Sequence, residues 1–218
     1  MAWPLLTPSA AVTSIVFDLD GTLYTSAPLL QEVTTAAEEL VAQTRGVSRK
    51  EGKQILASAE KRLCEIFDEE PTLTHTCLEL GISLVELHQA FIRTLRPERH
   101  LDDDPILAAL LDALQEHCDL YIYTNNNLAL TRKILALLGV ERYFKGLYTI
   151  EFTAAPKPDL EALQQVLEDI GGPPESFLFV GDRPNVDLRE PAALGIATLV
   201  VRETADLLQI HRFLNIIP

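Results

Sequence analysis

Seven polar side chains stand in four short motifs along this chain. They are Asp18 and Asp20, Thr124 and Asn125, Lys157, and Asp182 with Asp187. Phosphoryl transfer requires a nucleophile in line with phosphorus, positive charge on the equatorial oxygens and an acid that protonates the leaving oxygen. The four motifs contain all of these groups. Each motif alone is also typical of a turn, a helix cap or a solvated lysine, so the prediction depends on their joint occurrence.

The residue types suggest a division of labour. A carboxylate such as Asp18 can attack phosphorus and form an aspartyl-phosphate, but it repels a dianionic ester unless a cation screens it. Together with Asp18, the carboxylates of Asp182 and Asp187 are hard oxygen donors of the kind that Mg²⁺ prefers. Lys157 would add a point charge beside the phosphate, and Thr124 a hydroxyl donor.

The motifs follow short apolar runs that predict β-strands. These runs cover residues 15–17, 120–123, 147–150, 177–180 and 197–201, and helical patterns over 106–117, 128–138, 159–170 and 188–194 lie between the later ones. Alternation of strands and helices predicts an α/β fold with a doubly wound parallel sheet, which is a Rossmann-like core. Ligands of such sheets bind beyond the carboxyl ends of the strands, where these polar residues are found.

A helical block interrupts this alternation between about residues 29 and 96. Two capping boxes mark helix starts inside it, Ser48 with Glu51 and Ser83 with Glu86. The sequence therefore predicts a core formed by residues 1–23 and 101–218, with an inserted helical cap over residues 24–100.

Composition excludes several classes of protein. The 218 residues carry 18 basic and 32 acidic side chains, a net charge of -14, which disfavours nucleic-acid or anionic-membrane partners. Three scattered cysteines predict reduced thiols rather than a disulfide framework. The segment Met1–Ser14 lacks a basic residue and does not suit a signal peptide, and no apolar stretch is long enough to span a membrane. A cytoplasmic location is the default expectation.

The ordered motifs resemble those of the haloacid dehalogenase superfamily. Asp18-Leu19-Asp20-Gly21-Thr22-Leu23 is similar to its first motif, Thr124 to the second, Lys157 to the third, and Gly181-Asp182 with Asp187 to the acidic fourth. The resemblance implies Asp18 as nucleophile and Asp20 as general acid/base. It implies phosphate binding by Thr124, Asn125 and Lys157. It also implies a Mg²⁺ cofactor held by Asp18, Asp182, Asp187 and the backbone carbonyl of Asp20.

This resemblance implies a phosphatase acting on a small phosphorylated metabolite beneath a cap of the first type. Phe17–Tyr24 and Tyr123-Thr124-Asn125 look similar to pyrimidine 5′-nucleotidase-like members, which favours a nucleoside monophosphate over phosphoglycolate or a sugar phosphate. Asp20 argues against a dehalogenase. A sugar phosphomutase, a phosphonate hydrolase and a non-catalytic phosphate-binding relative remain as alternatives.

Two points stay open at this stage. Four residues separate Asp182 from Asp187 where many members of the superfamily have three, so Asp187 could bind the metal directly or orient a metal-bound water. In the cap, polar side chains that could touch a substrate are equally typical of a solvated helix face. They are Arg45, Lys53, Lys61, Arg62 and His75.

Overall fold

The computed structural model describes residues 12–214, so the predicted lack of a signal peptide concerns a segment that lies mostly outside the described residues. Five parallel strands form one sheet with the order β3-β2-β1-β4-β5. They are β1 (Ser14–Phe17), β2 (Asp119–Tyr123), β3 (Phe144–Tyr148), β4 (Phe177–Gly181) and β5 (Ala197–Val200). This order confirms the predicted doubly wound Rossmann-like α/β fold.

The helices account for most of the remaining chain. In chain order they are α1 (Ala27–Arg45), α2 (Arg49–Phe67), α3 (Leu73–Glu79), α4 (Leu84–Thr94), α5 (Pro105–Gln115), α6 (Leu128–Leu137), α7 (Ile150–Thr153), α8 (Leu160–Ile170), α9 (Arg189–Ala193) and α10 (Leu208–Phe213). Both predicted capping boxes are present, at the starts of α2 and α4. Asp104 and Asp159 cap α5 and α8 by accepting hydrogen bonds from backbone amides. Local sequence signals therefore fix these four helix starts.

The structure separates into two compact units. One unit is the described part of Met1–Thr25 with Asp102–Pro218, and the other is Ser26–Leu101. In the helical unit α2 approaches α1 so closely at Gly52 that a Cβ atom there would lie 2.6 Å from the backbone oxygen of Glu38. The Glu38 carboxylate is buried and is compensated by Arg49 at 3.6 Å and Lys53 at 3.4 Å.

One predicted element was placed wrongly. The third strand runs over Phe144–Tyr148 rather than 147–150, and Ile150 instead begins α7. This strand lies at the edge of the sheet and is only partly buried. An edge strand can contain residues such as Lys145 and Gly146, and these interrupt the apolar run by which the other strands were predicted. The helix predicted over 188–194 is present as α9, Arg189–Ala193, and a π-helical turn over Pro184–Leu188 precedes it.

Two expectations on class agree with the structure. None of the helices within residues 12–214 has the length and apolar character that crossing a bilayer requires. Cys64, Cys77 and Cys118 are free thiols, as predicted.

Candidate active site

The predicted site residues follow three neighbouring strands at the carboxyl edge of the sheet. Asp18 follows β1, Thr124 follows β2 and Asp182 follows β4. Lys157 reaches the same place from the loop between α7 and α8. Since β1 lies between β2 and β4, the side chain of Asp18 is central to the group.

Lys157 is the buried hub of this site. Its ammonium group donates to Asp18 Oδ1 at 2.7 Å, to Asp187 Oδ1 at 2.7 Å and to the carbonyl oxygen of Tyr123 at 2.9 Å. Only 2% of the residue is exposed. Burial alone would lower the pKa of Lys157, but the charges of Asp18 and Asp187 outweigh that effect and raise it. The lysine therefore remains a cation at neutral pH.

Three carboxylates crowd around this cation. One oxygen each from Asp18, Asp182 and Asp187 lies within 4.8 Å of the other two. Burial raises the pKa of Asp18, as does the charge of Asp187, while Lys157 opposes the shift. Burial and the charges of Asp18 and Asp187 raise the pKa of Asp182 to about 7. The guanidinium of Arg183 also attracts these carboxylates. Two cations among three carboxylates, with Asp20 close by, still leave excess negative charge.

The free oxygen of Asp182 fits a metal ion. Asp182 Oδ1 is buried, and within residues 12–214 no donor hydrogen-bonds to it. A buried polar atom without a partner is costly, and a cation would satisfy it while offsetting the excess charge. The donors are all carboxylate oxygens, which suits Mg²⁺ rather than a softer metal. Both oxygens of Asp187, by contrast, already accept hydrogen bonds, from Lys157 Nζ and from the Arg183 amide at 3.0 Å.

The glycine turn after β1 brings the acidic residues together. Gly21 has φ of +88°, and a Cβ atom there would lie 2.4 Å from Asp182 Oδ2. Only glycine allows both this backbone conformation and this close approach. Thr22, from the same turn, donates its hydroxyl to Asp18 Oδ2 at 3.1 Å. The turn therefore orients the Asp18 carboxylate from the side opposite Lys157.

Asp20 is held by two side chains that the sequence analysis did not identify. The Tyr24 hydroxyl donates to Asp20 Oδ1, and Asn126 Nδ2 donates to Asp20 Oδ2 at 2.5 Å. Asp20 keeps contact with solvent, but nearby protein atoms displace part of its hydration. This desolvation, with the charge of Asp18, raises the pKa of Asp20 to about 6.

The segment after β2 supplies contacts of three kinds. Thr124 is buried, and its Oγ1 accepts from the Asn126 amide at 3.1 Å, a bond that does not use the hydroxyl proton. The Asn125 side chain pairs with the backbone of Lys157, accepting at 2.7 Å and donating at 3.2 Å. Asn127 caps α6 by accepting from Leu130 N at 2.9 Å.

The extra residue between Asp182 and Asp187 is taken up by the π-helical turn Pro184–Leu188. Two successive amides, those of Val186 and Asp187, donate to the carbonyl of Arg183 at 3.0 and 2.8 Å. The wider turn keeps the Asp187 carboxylate within reach of Lys157 despite the longer segment. π-Helical turns of this kind occur frequently at functional sites.

The five cap side chains considered in the sequence analysis all contact other residues of the helical unit. Arg45 donates to the carbonyl of Leu80 at 2.7 Å, and His75 Nδ1 lies 2.7 Å from the Thr72 hydroxyl. Lys53, Lys61 and Arg62 lie within 4.0 Å of carboxylates on Glu38, Glu65 and Glu79. Nothing in these contacts distinguishes one of them as a substrate ligand.

Comparison with known proteins relates this chain to one family of hydrolases. A sequence model described as haloacid dehalogenase-like hydrolase matches residues 12–195. The chain is similar to a phosphoglycolate phosphatase from Shigella boydii, 28% identical over 84% of this chain and 79% of that protein. It is also similar to a glyceraldehyde 3-phosphate phosphatase from Methanocaldococcus jannaschii, 23% identical over 86% and 84% of the two chains.

A solved structure shows the same fold. It is a HAD phosphatase from Thermococcus onnurineus, with a TM-score of 0.58 at 18% identity over 91% of this chain and 97% of that one.

Proposed function

Because this chain belongs to the haloacid dehalogenase-like hydrolases, we propose that it is a Mg²⁺-dependent phosphatase that cleaves a small phosphomonoester through an aspartyl-phosphate on Asp18. The observation that carries the proposal is the buried Lys157, which links Asp18 to Asp187 beside the unpartnered oxygen of Asp182. Lys157 and the nearby Arg183 do not balance the charge of the acids around them, which supports a site that binds a metal ion and a phosphate together.

In the first step, Asp18 attacks phosphorus while its neighbours hold it in place. Lys157 and Thr22 hydrogen-bond its two oxygens from different sides, which fixes the carboxylate for in-line attack. The three N–H groups of Lys157 are already bonded to Asp18, Asp187 and the Tyr123 carbonyl, so its contribution to the phosphate is the attraction of its positive charge. The Thr124 hydroxyl is proposed to donate to a phosphate oxygen. When bound, Mg²⁺ would screen the carboxylates and neutralise charge on the transferring phosphoryl group.

Asp20 moves protons in both steps of the proposed reaction. As the P–O bond breaks, Asp20 gives a proton to the leaving oxygen, and it then takes a proton from the water that hydrolyses the aspartyl-phosphate. A pKa of about 6 suits a group that must hold and release a proton near neutrality. Below that pKa the acid form predominates, which favours the first step, and above it the carboxylate favours the second.

The two acids of the fourth motif are proposed to differ in role. Asp182 has a buried oxygen without a partner, so we assign it as a direct metal ligand with Asp18. Asp187 accepts from Lys157 and from the Arg183 amide, which supports a role in orienting Lys157. Both oxygens of Asp18 are bonded in the same way, so these contacts leave both direct metal binding and the orientation of a metal-bound water open to Asp187. Metal binding by the Asp20 carbonyl and phosphate binding by Asn125 stay predictions. The pairing of the Asn125 side chain with the Lys157 backbone supports a role for Asn125 in positioning Lys157.

Among substrates, we favour small phosphorylated carbon compounds. Relatives are named as phosphoglycolate phosphatase and glyceraldehyde 3-phosphate phosphatase, and others as pyrophosphatase. These names support a small phosphorylated substrate, and none of them names the nucleoside monophosphate suggested by the motif resemblance. A phosphonate hydrolase would need a desolvated lysine in the helical unit, whereas the candidates there, Lys50, Lys53 and Lys61, are all exposed.

The decisive experiment is to trap the covalent intermediate. Purified protein with Mg²⁺ is screened against phosphoglycolate, triose and hexose phosphates and nucleoside monophosphates. The Asp18→Asn variant and a chelated sample of the wild type are run in parallel. We expect turnover and an acid-stable, hydroxylamine-sensitive phosphoryl group in the wild type with Mg²⁺, and neither in the other two samples. Wild-type turnover by Asp18→Asn would reject the assignment.

A further inference from the structure

We propose that Tyr24 and Asn126 are positioning residues that clamp the Asp20 carboxylate for proton transfer. The inference rests on the proposed function, since it assigns partners to the acid/base of that reaction. Neither residue belongs to the four motifs from which the site was predicted. The two contacts approach different oxygens of Asp20, one from the turn after β1 and one from the segment after β2.

Tyr24 is fixed by the turn that it ends. The amide of Gly21 donates to the carbonyl of Tyr24 at 3.0 Å, and the turn closes as an isolated bridge between Asp20 and Tyr24. The tyrosine is only 8% exposed. The buried ring and the closed turn therefore restrict the Tyr24 hydroxyl to its position beside Asp20 Oδ1.

Asn126 is fixed just as firmly by its backbone. Its amide donates to Thr124 Oγ1 at 3.1 Å, and its carbonyl accepts from Ile150 N at 3.1 Å. Both bonds are independent of Asp20. The backbone position of Asn126 therefore does not depend on Asp20, and its side-chain amide can hold the Oδ2 oxygen of that carboxylate.

This pair of donors suits an acid that must also act as a base. Each carboxylate oxygen has two lone pairs, and the clamp uses one on each oxygen. The remaining positions can carry the proton that Asp20 gives to the leaving oxygen and later takes from water. A phenol hydroxyl and a side-chain amide nitrogen are both donors to the carboxylate in this arrangement. Asp20 can therefore keep one orientation through both steps.

The test uses two aryl esters that differ in leaving group. Phenolate is a poor leaving group that needs a proton, whereas p-nitrophenolate hardly does. We compare kcat/KM for p-nitrophenyl phosphate with that for phenyl phosphate, both with Mg²⁺, and take the ratio as the measure of acid catalysis. Asp20→Asn should raise this ratio by about 10²-fold. Tyr24→Phe and Asn126→Ala should each raise it about tenfold, because an acid that is misplaced loses part of its effect.

Tyr148→Phe is the matched control. Tyr148 is a buried tyrosine whose hydroxyl donates to a carboxylate, Asp169, at 2.7 Å, and it lies outside the proposed chemistry. Its loss should leave the ratio unchanged. In the Asp20→Asn background, adding Asn126→Ala should also leave the ratio unchanged, because the clamp acts only through Asp20.

The outcomes separate the two proposals. A raised ratio in Asp20→Asn, with wild-type ratios in Tyr24→Phe and Asn126→Ala, would overturn the clamp and leave the phosphatase assignment standing. An unchanged ratio in Asp20→Asn would overturn the acid/base role and the clamp with it. If Tyr24→Phe does not fold, Asn126→Ala and the double variant still decide the matter.

Discussion

Replacing Lys157 with methionine would test whether a buried cation holds the site together. The substitution keeps most of the side chain's length and removes the charge that bridges Asp18 and Asp187, both at 2.7 Å. Lys157 has 3% side-chain exposure, so water cannot take its place freely. The variant therefore removes the cation that bonds directly to two of the three neighbouring carboxylates, and Arg183 remains as the other nearby positive charge.

The size of the effect follows from burial. Removing one partner of a buried ion pair typically costs about 3–5 kcal/mol, because the remaining charge stays desolvated. Here Lys157 serves two carboxylates, so we expect a loss of about 4 kcal/mol in the free energy of unfolding at pH 7 in chelator. Mg²⁺ should restore part of that loss, since it binds the folded state through the same acids.

The assay is urea unfolding followed by circular dichroism, with and without Mg²⁺, at several pH values. Acids whose pKa is raised on folding bind more protons in the folded than in the unfolded state, so stability falls as pH rises through that interval. Removing the positive charge of Lys157 raises the pKa values of the neighbouring acids in the folded state further. The deficit of Lys157→Met should therefore shrink at pH 5 and grow toward pH 8.

Lys145→Met is the control for this experiment. Lys145 pairs with Asp119 at a similar distance, 2.8 Å, but its side chain is 62% exposed. Exposed pairs contribute little because solvent screens them, so this variant should unfold almost like the wild type. If Lys157→Met were no less stable than Lys145→Met, the argument from burial would be refuted.

Three further predictions concern the metal site and the helical unit. The raised pKa of Asp182, about 7, implies that the protein in excess chelator loses stability as pH rises from about 4 to 7. It also implies that Mg²⁺ binding at pH 6.5 releases a proton, which calorimetry in buffers of different ionisation enthalpy should detect. Gly21→Ala should cost about 1–3 kcal/mol and weaken Mg²⁺ binding, because its positive φ and its contact with Asp182 both exclude a Cβ atom; wild-type affinity by titration would contradict this. Gly52→Val should lower stability by about 1–3 kcal/mol by forcing α1 away from α2, and an unchanged urea midpoint would contradict the close approach.

The sequence predicted those parts of the fold whose signals are local. Strands β1, β2 and β4 are buried apolar runs that end at acids or at Thr124, and side-chain caps mark four helix starts. The edge strand β3 lacks such a run because it is only partly buried, so its position was wrong. The helix α10 was not predicted at all.

Site prediction shows the same division. The motif residues could be found because chemistry restricts their types, whereas the contacts among them depend on folding. Tyr24 and Asn126 converge on Asp20 from segments more than a hundred residues apart, so no local pattern reveals the pair. Asn125 was predicted to bind phosphate, but its pairing with Lys157 depends on a loop whose course the sequence does not specify.

The central place of β1 has a consequence for how the chain folds. Ser14 pairs with Asp119 on one side and with Phe177 on the other, so the strand that precedes Asp18 gains its partners only from distant parts of the chain. Contacts of such high sequence separation form slowly, while α1 to α4 meet mainly their neighbours in sequence. During synthesis at about 5–20 residues per second, β1 would wait several seconds, apolar and unpaired, before β2 and β4 emerge. If the helical unit folds first, it shortens the effective loop between β1 and β2. Until its partner strands emerge, the unpaired β1 is exposed to aggregation.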